Sequence, residues 1–130
     1  METALRLAII GAGGFVGAIL RFLVSGWLQN KSGQFFFPFG TMGVNLIGCF
    51  CIGFCTMLVE TKSFFSVELR SFLFVGVLGA FTTFSTFGND TLMLIRGGRF
   101  DLAALNAVVQ VVVGLVMVCL GRVVGGGFLK

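Results

Sequence analysis

Apolar positions run along this chain in four long blocks, and the few polar positions inside them fall at helical spacing. Leu7–Leu28, interrupted by Arg21, is followed by Phe35–Val59, by Ser71–Asn89 running on to Ile95, and by Leu102–Gly121. Each block approaches or exceeds the roughly 20 residues a helix needs to cross a hydrocarbon core. The pattern therefore predicts an all-α membrane protein with four spans, over about residues 5–28, 36–59, 70–95 and 102–122. The connections are too short for a soluble domain, so residues 1–130 read as a single transmembrane domain. The first block is too long for a signal sequence and no convincing cleavage site follows it, so it is expected to remain as a span. Both termini then lie on one side.

Small and polar residues divide the work within the blocks. Gly13/Gly17 and Gly14/Ala18 in the first block are small pairs four apart, a spacing that lets helix backbones approach closely. Arg21 follows on the same helix; a charge inside a span faces protein or water, or snorkels to the interface from near the helix end. Pro38 suits the opening turn of the second span, where its missing N–H costs nothing. Thr41, Asn45 and Gly48 then form a narrow polar-and-small stripe, and Asn106, Gln110 and Gly114 form another on the fourth span. The third span carries Gly76, Gly79 and Ala80 ahead of the hydroxyl run Thr82–Thr83, a weak point at which the helix can break. A break at that depth is tolerated where it is buried in protein or lines a watery cavity, and its freed carbonyls suit a small cation. Arg96–Asp101 (RGGRFD) reads as a tight basic turn, and Glu60–Arg70 as the one loop of mixed charge.

Composition agrees: only 11% of residues are charged, against about 25% in soluble domains. Basic residues near the membrane surface split unevenly but weakly. Arg6, Lys62, Arg70, Arg122 and Lys130 fall on the terminal side, and Lys31, Arg96 and Arg99 on the other. Such a split reads either as one orientation with cytoplasmic termini or as insertion both ways up. Four cysteines at membrane depth, with no histidine and no C-x-x-C pair in the chain, argue against a zinc site and resemble small buried apolar residues.

The candidate chemistry lies in the type of polar group. No Asp or Glu sits deep in a span, whereas Asn45, Asn106, Gln110, the hydroxyls and Arg21 all donate hydrogen bonds. Donors suit an anion; coupled cation carriers place a carboxylate in the membrane. Phe84 and Phe87, three apart, point the same way, and their rings carry positive edges that suit a weakly held anion. In a chain with 17 Phe, the same pair also suits plain packing. Likewise the polar stripes suit interhelical hydrogen bonding.

The stretch G-x-L-G-A-F-T-T-F-S-T-F, Gly76–Phe87, closely resembles the signature of the Fluc (CrcB) fluoride ion channels. G-A-I-L-R at Gly17–Arg21, G-T-M-G-V-N-L-I-G at Gly40–Gly48 and R-G-G-R at Arg96–Arg99 extend the likeness over nearly the whole chain. The resemblance implies a fluoride-selective channel in the plasma membrane, built as an antiparallel, dual-topology homodimer with two pores and a broken third helix. It implies Phe84 and Phe87 as the aromatic pair along the anion path. Asn45, Ser85 and Thr86 would be polar contacts with Thr41 nearby, Asn106 and Gln110 a fourth-helix polar track, and Arg21 the first-helix arginine. The carbonyls of Gly79 and Thr82 would hold a structural sodium ion that is not transported. Ala80 replaces a usual second glycine, Asp90 a usual glutamate, and Gln110 a small hydroxyl residue found in some members.

Two other classes compete with this reading. A small proton-coupled multidrug exporter needs an acid in its first span, which here has none beyond Glu2. A non-transporting scaffold would use the polar stripes for packing alone. An enzyme is not expected, since no nucleophile–base pair is evident, and no nucleic-acid partner is expected.

Overall fold

The computed structural model describes residues 2–61 and 65–127, which are helical apart from short connections. Lys62 and Lys130, both counted in the charge balance, lie outside the described residues. Four helical stretches are long and apolar enough to cross a membrane: Glu2–Ser32, Phe39–Thr61, Val67–Arg96 and Phe100–Gly127. We label the first two α1 and α2. The third comprises α3, residues 67–81, and α4, Phe84–Arg96. The fourth is α5, Phe100–Gly127. Helix α3 winds wider, with π geometry, over Ser71–Leu78, and α5 does so over Val109–Val113.

Each end has a local cause. Helix α1 continues past residue 28 to Ser32 and stops at Gly33, whose φ of 63° is costly for any residue with a Cβ. The Gln29 side chain then serves the loop backbone. Its Nε2 donates to the Phe37 carbonyl at 3.0 Å and its Oε1 accepts from Gly40 N–H at 3.0 Å. Pro38 stands just before α2, and its carbonyl accepts the Met42 N–H at 3.0 Å, opening the helical ladder. Between α4 and α5 the chain turns at Gly98, φ 73°, where Arg99 N–H reaches back to the Leu94 carbonyl at 2.9 Å. That is the tight turn expected for RGGRFD.

Packing runs along two glycine seams. Helix α1 lies against α3, and a Cβ on Gly13 or Gly17 would strike the carbonyl of Phe72 or Val77. Of the two small-residue pairs in α1, this is the one used; Gly14 faces open space. Helix α2 lies against the C-terminal half of α5, with Gly53 on the Val118 carbonyl and Gly121 on the Phe50 carbonyl. Close backbones gain dispersion contacts, which bind helices together where lipid removes any hydrophobic difference. Little apolar surface is buried in one chain: Leu7, Phe22 and Trp27 are all exposed. Val44 and Asn106 are the largest side chains buried completely.

Candidate functional site

The third span changes backbone geometry at two residues. Thr82 (φ −88°, ψ 159°) ends α3 and Thr83 (φ −151°, ψ 112°) precedes α4, so both are extended. The N–H that a continuing helix would aim at the Gly79 carbonyl belongs to Thr83. It goes instead to Asn45 Oδ1, at 2.8 Å.

Asn45 completes that exchange. Its Nδ2 donates to the Thr83 carbonyl at 3.1 Å, so one side chain meets both the N–H and the C=O of one residue. Only an extended residue turns its N–H and C=O to the same side, as in a hydrogen-bonded pair between antiparallel strands. The amide edge of Asn45 thus acts as a one-residue strand partner, and it satisfies backbone groups that hydrocarbon would leave unpaired. The Thr83 hydroxyl then caps α4, accepting from Thr86 N–H at 3.3 Å and donating to Thr86 Oγ1 at 2.9 Å.

A line of amides leads away from Asn45. Its second N–H donates to Gln110 Oε1 at 2.6 Å, and Gln110 Nε2 donates to Asn106 Oδ1 at 2.9 Å. Asn106 Nδ2 passes the line to Thr91 Oγ1 at 2.9 Å, and Thr91 donates to the Phe87 carbonyl at 2.7 Å. The bonds run head to tail, an arrangement in which each polarises the next. The two stripes expected on α2 and α5 therefore meet at Asn45 and Gln110, and both are tied to the third span.

Two open clefts flank Thr83. One, of about 360 Å³, is lined by Asn45, Thr82, Thr83, Phe84, Phe87 and Gln110 among others, with no charged side chain on its wall. Phe84 and Phe87 stand side by side there, ring centroids 5.5 Å apart and tilted by 49°, and Phe84 is 82% exposed. The other, about 320 Å³, brings Arg21 and Ser25 of α1 to Thr41, Thr83 and Thr86. At its margin Thr41 donates to Asp90 Oδ2 at 2.8 Å. Ser85 and Thr86 are exposed at the head of α4. Asn106, by contrast, is wholly buried behind Gln110.

Two participants at the site, Thr83 and Thr91, had no role assigned from the sequence. Thr83 stood there only as part of a hydroxyl run, although a threonine just ahead of a helical stretch suits an N-cap. Thr91 offered no signal; it matters because the Asn106 amide arrives beside it. Among the described residues there is no group of three or more His, Cys, Asp or Glu suited to a metal.

These features define a small multi-pass helical membrane protein in which two extended residues, Thr82 and Thr83, lie beside an uncharged, aromatic-walled cleft. Residues 8–122 match the model of the family described as CrcB-like protein, Camphor Resistance (CrcB), and the chain belongs to that family. It is 44% identical over 121 residues, 93% of each chain, to the fluoride-specific ion channel FluC of Parabacteroides distasonis. It is 45% identical over 124 residues to the protein of the same name from Hydrogenovibrio crunogenus, covering 95% of this chain and 93% of that one. Fluoride-specific ion channel FluC 3 of Methanosarcina barkeri is 40% identical over 121 residues, 93% of this chain and 90% of its own.

Proposed function

We propose that this protein is a fluoride-selective channel that lets fluoride leave the cell passively across the plasma membrane. One observation carries the reading: the cleft beside Thr83 presents neutral hydrogen-bonding groups and two adjacent phenylalanines, and no charged side chain lines it. A selective pore must replace the water of a small, strongly hydrated ion and still release it. Neutral donors and ring edges do both; a lysine would hold the anion and a carboxylate would repel it. The names of the relatives point the same way. Hydrogen fluoride crosses membranes uncharged and dissociates in a more alkaline interior, so passive exit of the trapped anion lowers cytoplasmic fluoride.

The working form is an antiparallel, dual-topology homodimer with two pores, each third span being broken at mid-membrane. The exposure of Phe84 and of Gly79 in a single chain supports this, since a second copy would cover that face and close the open side of the cleft. A structural sodium ion fits the same place. Thr83 N–H is turned away from the Gly79 carbonyl, and Gly79 has no side chain to shield it. Carbonyl oxygens are hard, uncharged ligands of the kind that suit such a cation. Gly79 and Thr82 of two chains would hold it, and its fixed positive charge would offset the desolvation of an anion. Thr41, Thr86 and Arg21 would line the approach on the other face, with Ser85 beside them at the head of α4, and Asn106 supports Gln110 from behind.

The test is ion release from liposomes containing only the purified protein. We expect voltage-dependent fluoride release, no comparable chloride release, and indifference to an imposed proton gradient. Impermeable vesicles around folded protein would favour the scaffold, and proton-driven release the exporter.

A further inference from the structure

Gln110 does more in this structure than line the cleft: its side-chain oxygen is an internal acceptor that occupies a donor of Asn45. Asn45 has two amide hydrogens. Its oxygen and one hydrogen share an edge, and that edge is engaged with the N–H and C=O of Thr83. The remaining hydrogen points off that edge and is taken by Gln110 Oε1 at 2.6 Å. No donor of Asn45 is left over, yet Asn45 and Gln110 both line the cleft that holds Phe84 and Phe87. The two bonds differ in how readily they can be given up. Releasing Thr83 would strand backbone groups at membrane depth, whereas Gln110 is a long side chain whose oxygen can turn into the open cleft. Gln110 also has a place to rest its other end, because its Nε2 is anchored on the fully buried Asn106.

We infer that Gln110 Oε1 and the conducted anion compete for the same N–H of Asn45, so that Gln110 is the group an entering ion displaces and the group that takes the donor back when the ion leaves. The inference rests on the fluoride-channel reading and assigns Gln110 a positioning role within it. Such an exchange keeps the Asn45 donor satisfied between ions, which a membrane interior demands. It also weakens retention of the ion, because leaving is assisted by an acceptor already in place.

The test compares wild type, Gln110→Met and Gln110→Glu in liposomes, reading fluoride release across a series of fluoride concentrations, with assembly checked by size-exclusion chromatography. Methionine keeps the length and removes the competing oxygen. Half-saturation should fall by about two- to tenfold, the ratio matching one net hydrogen bond, with a lower maximal rate as release loses its assistance. Glutamate keeps the oxygen and strengthens it with charge, so half-saturation should rise at least tenfold or release should stop. Structural damage alone would move both variants the same way. Conducting wild type with half-saturation unchanged or raised in Gln110→Met overturns this inference and leaves the channel reading standing. Wild type that releases no fluoride overturns the channel reading and this inference with it. Backbone-assigned NMR in detergent gives a second readout: fluoride titration should shift one side-chain hydrogen of Asn45 strongly and its Thr83-bonded hydrogen little, and equal shifts would argue against the competition.

Discussion

Asn45 commits its whole side-chain amide to protein groups, two on Thr83 and one on Gln110. Aspartate there could still accept from Thr83 N–H, but it would face the Thr83 carbonyl and Gln110 Oε1 with lone pairs in place of donors. Asn45→Asp should therefore cost about 1–3 kcal/mol for each acceptor left unpaired and abolish fluoride release; wild-type melting and release rates in that variant would remove Asn45 from the site. Phe84 contrasts with it, being 82% exposed within its chain. Phe84→Ile should sharply lower fluoride release while the protein still assembles, and Phe87→Ile should lower release likewise. Unchanged release in both would make the rings packing elements. At this scale the sequence spoke clearly about which residues are unusual for a membrane interior. It did not reveal the partners: that Asn45 meets a backbone residue of another span depends on the approach of α2 to the third span.

Elements are shaped by what their ends and seams can satisfy. Helix α4 starts at Phe84 because Thr83, extended and clasped, offers its hydroxyl to Thr86 N–H. Thr83→Ala should cost about 1 kcal/mol of cap stabilisation and speed hydrogen exchange at the Thr86 amide, while the backbone clasp by Asn45 persists. Unaltered exchange there would mean that the hydroxyl is not the cap. The α2–α5 seam is stiffer. A methyl on Gly121 would meet the Phe50 carbonyl and Phe54 N–H, both backbone groups that cannot swing aside. Gly121→Ala should destabilise by about 1–3 kcal/mol, measured as a lower detergent melting temperature. Gly14→Ala, which meets nothing within 4 Å in the chain, should be neutral or mildly stabilising through helix propensity. Gly13 and Gly14 carry equal weight in the sequence, where Gly13/Gly17 and Gly14/Ala18 look alike; only the placement of α3 selects the first pair.

The whole molecule is a set of four spans that buries little of its own apolar surface, with Phe84 and much of α1 uncovered. Amine- or disulfide-based cross-linking in membranes should trap a dimer, and single cysteines placed near the termini should label from both faces of the membrane; labelling from one face alone would exclude the antiparallel pair. The presence of four helices able to cross a membrane, membrane residence and the neutral, donor-rich inventory were legible along the chain, because bilayer thickness and the cost of charge in hydrocarbon act on composition over twenty-residue windows. The convergence of Asn45, Thr83 and Gln110 was not, since it rests on contacts between residues 38 to 65 positions apart, nor was the complete burial of Asn106, which depends on how α5 packs. Helical periodicity states which face of a helix a side chain occupies and is silent on which other helix that face will meet. That choice belongs to the glycine seams and to the backbone groups of Thr83, which take a partner from wherever the packed spans bring one.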